Sequence, residues 1–309
     1  MPGIMDAVDV LYEPVIRVLA YYDLFDYPLR AEEIHAFLPM DGVSLYELKG
    51  ALADLHAEGR LGGADGYYYL PYRNHSIVHR RLRMQERGGA MWSMARRFAM
   101  VMRWTPFIRG IFISGQLCRY IADENSDIDY FIITAPRRLW IVRTLFVVMR
   151  RVLLFNSRRY FCTNYFITTD NLLIRERNPY AACEVASLKP IYNHELFHEF
   201  MMGNSWIAEY YPNFSPASIE VREGVTGGER LRGVMERMIP ARIADRLDAW
   251  LMEATRRFWH RKFPGREPAL YDVSLRTRRN ESRAHADDKS PWVLERYRAV
   301  LRNHGISDE

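Results

Sequence analysis

Lysine is almost missing from this chain: of 43 basic residues only Lys49, Lys189, Lys262 and Lys289 are lysines, leaving 39 arginines against 38 acids and a net charge of +5. Cysteine is scarce too. Cys118, Cys162 and Cys183 are odd in number, scattered and without a C-x-x-C pair, which excludes a disulfide scaffold and a zinc ribbon and points to a reduced cytoplasm. No long apolar run exists. The most apolar stretch, Leu139 to Phe155, is interrupted by Arg143, Arg150 and Arg151, so neither a membrane span nor a signal peptide is expected. The G-x-x-x-x-G-K-[ST] and G-x-G-x-x-G loops are absent, which removes P-loop and dinucleotide-binding readings. No nucleophile elbow surrounds a serine.

What is present is a chain of 309 residues, 49% hydrophobic and 26% charged, long enough for two or three globular units. GC-rich coding explains arginine in place of lysine, but not where the charges fall. Residues 1–72 hold four bases and twelve acids, a net of −8, so residues 73–309 carry +13. A step of that size marks a domain-level division.

Within the acidic part, Val15, Val18, Leu19 and Tyr22 recur at helical spacing before Pro28. A second helix is expected from Ala31 to Phe37. A third starts after Ser44, with Leu45, Leu48, Leu52 and Leu55 on one face. Leu61, a Gly62-Gly63-Ala64-Asp65-Gly66 turn and Tyr67 to Leu70 read as a β-hairpin. Three helices and a hairpin make a winged-helix pattern over residues 1–73. Its third helix carries Glu47, Asp54 and Glu58 against Lys49; phosphates would be repelled, so docking or dimerisation is favoured over DNA. Residues 74–104 follow as a connecting helix with a weak point at Gly88-Gly89. Its Arg80, Arg83 and Arg87 share one face, read as solvated.

Phe107 to Ser114 is a short apolar strand ending in Gly115-Gln116. A polar loop, Asp123 to Ser126, leads to a second strand, Asp127 to Thr134. Residues two apart in a strand share a face, so Asp127 and Asp129 meet at one spot. Two carboxylates so close need a cation between them, and hard oxygen ligands suit Mg²⁺.

This bundle, an apolar strand with a terminal glycine, a twelve-residue step from Gly115 to Asp127, Ser126 immediately before it, and both Asp127 and Asp129 in a second strand, resembles the nucleotidyltransferase superfamily related to DNA polymerase beta. The resemblance covers about residues 105–170. Further stretches, LAYYDLFDYPLRAEEI, RLWIVRT, FCTNYFI and NSWIAEYYPN, resemble a bacterial group of nucleotidyltransferase-domain proteins and extend it to residue 215. The implied fold is α+β: a mixed sheet flanked by helices over 105–215, with an N-terminal winged helix and a helical region over 216–309.

The resemblance implies that Asp127 and Asp129 bind two Mg²⁺ ions, that Gly115 lets backbone amides cradle an NTP, and that Ser114 and Ser126 add hydroxyl contacts. The implied reaction transfers a nucleoside monophosphate from NTP to an acceptor of unspecified class, releasing pyrophosphate. This chain departs from the pattern twice. Gln116 replaces the usual serine after glycine, and Asn164 stands where a third carboxylate is expected. Glu184, or else Asp170, is the candidate substitute. These departures leave open an alternative: a catalytically degenerate nucleotide-binding or regulatory protein whose winged helix meets a partner or DNA.

One competing motif is His194-Glu195-Leu196-Phe197-His198, a literal H-E-x-x-H. A zinc peptidase would need a further ligand such as Glu220 or Glu223, and the expectation is an ordinary amphipathic helix. The stretch from Glu229 to Lys262 reads as helical, Ser274 to Ser290 as a polar loop, and Pro291 to Leu301 as a short helix.

Overall fold

The structure, a computed structural model, describes residues 7–219, 222–265, 267–284 and 290–307. It is a mixed α and β architecture with two sheets. No described helix is long and apolar enough to cross a membrane.

The first elements are α1 (Ala7–Asp23), β1 (Leu29–Arg30), α2 (Ala31–Ala36), α3 (Leu45–Ala57), β2 (Gly62–Ala64) and β3 (Tyr67–Tyr69). The expected apolar stripes are buried, with Val15, Leu19 and Tyr22 facing Leu48, Leu52 and Leu55. Ser44 caps α3 reciprocally: its hydroxyl accepts from the Glu47 amide at 3.2 Å, and the Glu47 carboxylate accepts from the Ser44 amide at 2.8 Å. Asp65 and Gly66, both at positive φ, turn β2 into β3. The sequence reading missed β1. This two-residue strand pairs antiparallel with β3 and makes a three-stranded sheet of order β1-β3-β2; so short a strand has no periodicity to read.

Next comes α4 (Ser76–Met102), unbroken through Gly88-Gly89. The expected weak point is instead a close approach: a Cβ on Gly88 would lie 1.9 Å from the Tyr120 carbonyl oxygen. Arg80 and Arg87 lie on an exposed face, paired with Asp26 and Glu124.

The larger sheet is built from β4 (Ile108–Ser114), β5 (Asp129–Thr134), β6 (Cys162–Thr168), β7 (Lys189–Tyr192) and β8 (Glu281–Arg283), in the order β7-β4-β5-β6-β8. Among these strand pairs β5–β6 is parallel and the others are antiparallel. The helices of this part are α5 (Leu139–Leu153), α6 (Pro179–Ser187), α7 (His194–Gly203), α8 (Glu229–Arg237), α9 (Ala241–Lys262), α10 (Pro268–Ser274) and α11 (Ser290–Asn303).

Both sheet faces are covered, which explains the near-continuous apolar strands. Ile111, Ile113, Tyr130 and Ile132 pack against Trp92 and Ala95 of α4 and Trp140 and Phe146 of α5. Phe112, Phe131 and Ile133 point the other way and join Phe197 and Phe200 of α7 in one core with α1, α3 and α11.

Three further details differ from the sequence reading. The strand expected from Asp127 begins at Asp129. The Glu229–Lys262 run breaks at Pro240, where the missing amide and fixed φ end α8 and start α9. The expected polar loop over 274–290 contributes β8, whose Glu281 is buried against Arg276 and accepts from the Tyr165 hydroxyl at 2.9 Å; residues 285–289 of that stretch lie outside the described residues. Polar residues there pair with buried partners, so hydropathy gave no strand signal.

Candidate functional site

Strand directions bring four segments to one end of the larger sheet. The end of β4 lies beside the starts of β5 and β7, because both run antiparallel to it; Ser114 pairs with Asp129 and Ile113 with Lys189. The start of β6 lies beside β5 in parallel, with Cys162 opposite Asp129.

Here Asp127, Asp129 and Cys162 place one ligand atom each within 4.8 Å of one another, the one such group of histidine, cysteine and carboxylate side chains among the described residues. Asp127 precedes β5, but the backbone is still paired there: the Ile128 amide donates to Arg159 O and its carbonyl accepts from Cys162 N, at 2.9 and 3.0 Å. Ile128 and Tyr130 are buried while both carboxylates stay half-exposed, so the expected alternation holds.

Gly115 follows at φ +65°, and a Cβ there would meet Asp129 Oδ2 at 2.6 Å. Glycine therefore serves twice, permitting the left-handed turn and leaving room for the carboxylate. The Ser114 hydroxyl lies 3.4 Å from Asp129 O. A 3₁₀ turn, Gln116–Arg119, continues from the glycine, and the Cys118 thiol donates to Gly115 O at 2.8 Å. Burial pushes the Cys118 thiol up to about 12, so it remains a donor.

Ser126 does not face the carboxylate pair through its hydroxyl. It accepts from the Asp123 amide at 2.7 Å and donates to Gln116 Oε1 at 2.6 Å, with Asp123 Oδ1 at 3.0 Å. Gln116 thus ties the turn to the 123–126 loop. Burial works against the charge of Asp123, yet the Asn125 amide and Ser126 hold it below the usual carboxylate range.

The third member of the group is one that sequence reasoning passed over. A β-bulge shifts the β5–β6 register: Tyr130 pairs with Thr163 and Phe131 with Tyr165, so Asn164 is the extra residue. The bulge puts Cys162 beside the carboxylates. Asn164 Nδ2 reaches back to Cys162 Sγ at 2.8 Å. Burial first, then the charges of Asp129 and Asp127, push the Cys162 thiol far up and keep it protonated. Among the quoted residues FCTNYFI only the cysteine marks this, and a bulge leaves no trace in composition.

The structure does not bring Glu184 to this group. It stands on α6, where its charge acts on Tyr21, Cys118 and Arg119. Asp170 follows the far end of β6 and accepts from Thr168.

The residues fit Mg²⁺ at two positions. Carboxylates are hard donors, and Mg²⁺ commonly takes one or two of them and completes its octahedron with water and substrate phosphates. A thiol is a soft ligand and does not extend that set. Two ions would share the pair without a third carboxylate among the described residues.

The H-E-x-x-H residues lie on α7, with His194 half-buried and His198 exposed. Burial and the nearby His198 lower the His194 pKa from its ordinary value. No third ligand joins them among the described residues. Glu223 pairs with Arg96, and Glu220 lies outside the described residues. No protein-family model, curated protein or solved structure matches the chain.

Proposed function

We propose that the chain binds an NTP with Mg²⁺ at the Gly115–Asp129 sheet end and transfers the nucleoside monophosphate to an acceptor hydroxyl. The observation that carries this reading is the convergence of Asp127 and Asp129 beside a glycine that no other residue can replace without displacing Asp129. Bound Mg²⁺ would supply charge neutralisation for the triphosphate. The chain's own part is positioning: Gly115 opens the backbone to phosphate oxygens, and the carboxylates fix where the metal-bound phosphates lie. In the transfer the acceptor oxygen bonds to the α-phosphorus, the bond from that phosphorus to the α,β-bridging oxygen breaks, pyrophosphate leaves, and the hydroxyl proton passes to water.

With this function we propose the nucleotidyltransferase arrangement for the helix-covered mixed sheet and a winged helix for α1–α3 with the β1-β3-β2 sheet. Lys49 on α3 is paired with Glu32 at 2.7 Å and Glu58, at the C-cap, with Arg60 at 3.2 Å, which leaves Glu47 and Asp54 to set the charge of that helix. Such a face fits a protein partner better than DNA.

One observation favours a second reading. Cys162 stands where a third oxygen ligand would serve the transfer, so the site suits nucleotide binding without turnover. Two measurements separate the readings. Mg²⁺-dependent NTP binding that falls at least tenfold in Asp127→Asn and Asp129→Asn supports the site, and unchanged binding in both rejects it. Label appearing on any cell-extract component from α-labelled NTP supports transfer; binding without such label supports the sensor.

A further inference from the structure

Behind the 3₁₀ turn lies an open cleft of about 540 Å³ bordered by the N-terminal unit, α4, the end of α6 and Arg222. None of Asp127, Asp129 and Cys162 lines it. Its size suits a small organic ligand.

Charge is what sets it apart. Five basic and two acidic side chains line it, and the acids are already engaged, Glu32 by Lys49 and Glu33 by the buried Arg81. Arg119 projects from the turn into this space. Its Nε is buried with no hydrogen-bond partner, and its Nη2 finds only the Cys183 thiol at 3.6 Å. The charge of Glu184 reaches it, but no described carboxylate hydrogen-bonds to it, and the Tyr22 and Phe25 rings lie beside it at 5.2 and 5.9 Å. A buried guanidinium N–H without an acceptor is a donor left open to an incoming anion. Lys189 and Arg222 line the same cleft, and both approach the Tyr120 ring. Arginine forks with lysine match phosphate oxygens, and the tyrosine walls match an apolar body.

We infer that this cleft is a metal-independent binding site for a phosphorylated small molecule, with Arg119 as the central anion contact. It is separate from the carboxylate pair and stands on geometry that does not depend on nucleotidyl transfer. A ligand held there touches the N-terminal unit and the turn that begins at Gln116 together.

The test uses the full chain and sodium pyrophosphate as probe, titrated calorimetrically in EDTA at fixed ionic strength. Without a divalent ion the carboxylate pair repels this anion, so binding reports the cleft. The wild-type chain is expected to bind at one site, with affinity at least tenfold lower in Arg119→Gln and in Lys189→Gln. Should Arg119→Gln fail to fold, Lys189→Gln at the start of β7 carries the comparison. Absence of wild-type binding in EDTA, or binding that survives both substitutions within twofold, overturns the inference.

Discussion

A Cβ atom on Gly115 would lie 2.6 Å from Oδ2 of Asp129, although the two residues are fourteen positions apart. The antiparallel pairing of Ser114 with Asp129 brings them together. Gly115→Ala therefore carries two costs, a backbone at φ +65° and ψ −152° that costs about 1–3 kcal/mol once a Cβ is present, and a displaced carboxylate. The expected outcome is lower thermal stability together with at least a tenfold loss of Mg²⁺-NTP affinity. Calorimetry checks both, and unchanged affinity would show that Asp129 tolerates the shift.

Cys162 offers the converse experiment. Cys162→Asp places a third carboxylate beside Asp127 and Asp129. In EDTA three like charges repel, so the melting temperature is expected to fall by several degrees. Added Mg²⁺ should restore it, because an ion that binds only the folded state stabilises it. A melting temperature insensitive to Mg²⁺ would argue against a metal at this sheet end.

Adjacent glycines in α4 should respond in opposite directions. Helix propensity alone favours alanine over glycine by about 1 kcal/mol. At Gly89 the nearest atom is Arg222 Nη1 at 3.9 Å, so Gly89→Ala is expected to stabilise by up to that amount. At Gly88 the Tyr120 carbonyl, 1.9 Å from the added carbon, is backbone. Gly88→Ala is expected to destabilise by about 1–3 kcal/mol as an overpacked site. Urea denaturation of the two variants measures the difference.

Arg143 on α5 is buried beside the Trp140 and Trp259 rings, with its Nε unpartnered. Burial first, then the charge of Arg150, lowers its pKa to about 10. The charged form is thus less favourable inside than in water. Arg143→Met keeps the volume and removes the charge, so the melting temperature should hold or rise. A large fall would reveal an ion pair this geometry does not contain.

Glu236 on α8 fixes that helix to the sheet. Its carboxylate accepts from the Arg109 guanidinium at 2.9 and 2.8 Å and from the Phe107 amide at 2.5 Å. Burial opposes ionisation, but these donors prevail and lower its pKa from the ordinary value. A depressed folded-state pKa contributes stability above the unfolded pKa, and that stability is lost as pH falls through the folded one. Glu236→Gln should therefore cost about 1–3 kcal/mol at neutral pH and flatten the acid limb of the stability profile below about pH 5. An acid limb parallel to wild type would exclude this role.

Much was legible in the chain alone, because it depends on local spacing. The apolar stripe of α1, the Ser44 cap of α3, the hairpin before Leu70, whose expected Gly62-to-Gly66 turn the structure narrows to Asp65-Gly66, and the alternation that aligns Asp127 with Asp129 all follow from residues a few positions apart. The charge step near residue 72 is likewise a property of the sequence. Tertiary structure decided the rest. It chose Cys162 over Asn164 and Glu184 as the neighbour of the carboxylates, since one bulged residue in β6 shifts which side chain faces them. It made Gly88 a contact rather than a weakness, and recruited β8 from a polar stretch by pairing Glu281 with Arg276. The basic excess acquired a location in the same way. Arg119 keeps a buried Nε without a hydrogen-bond partner among the described residues because distant segments close around it, and nothing in the spacing of arginines along the chain determines which of them will be enclosed.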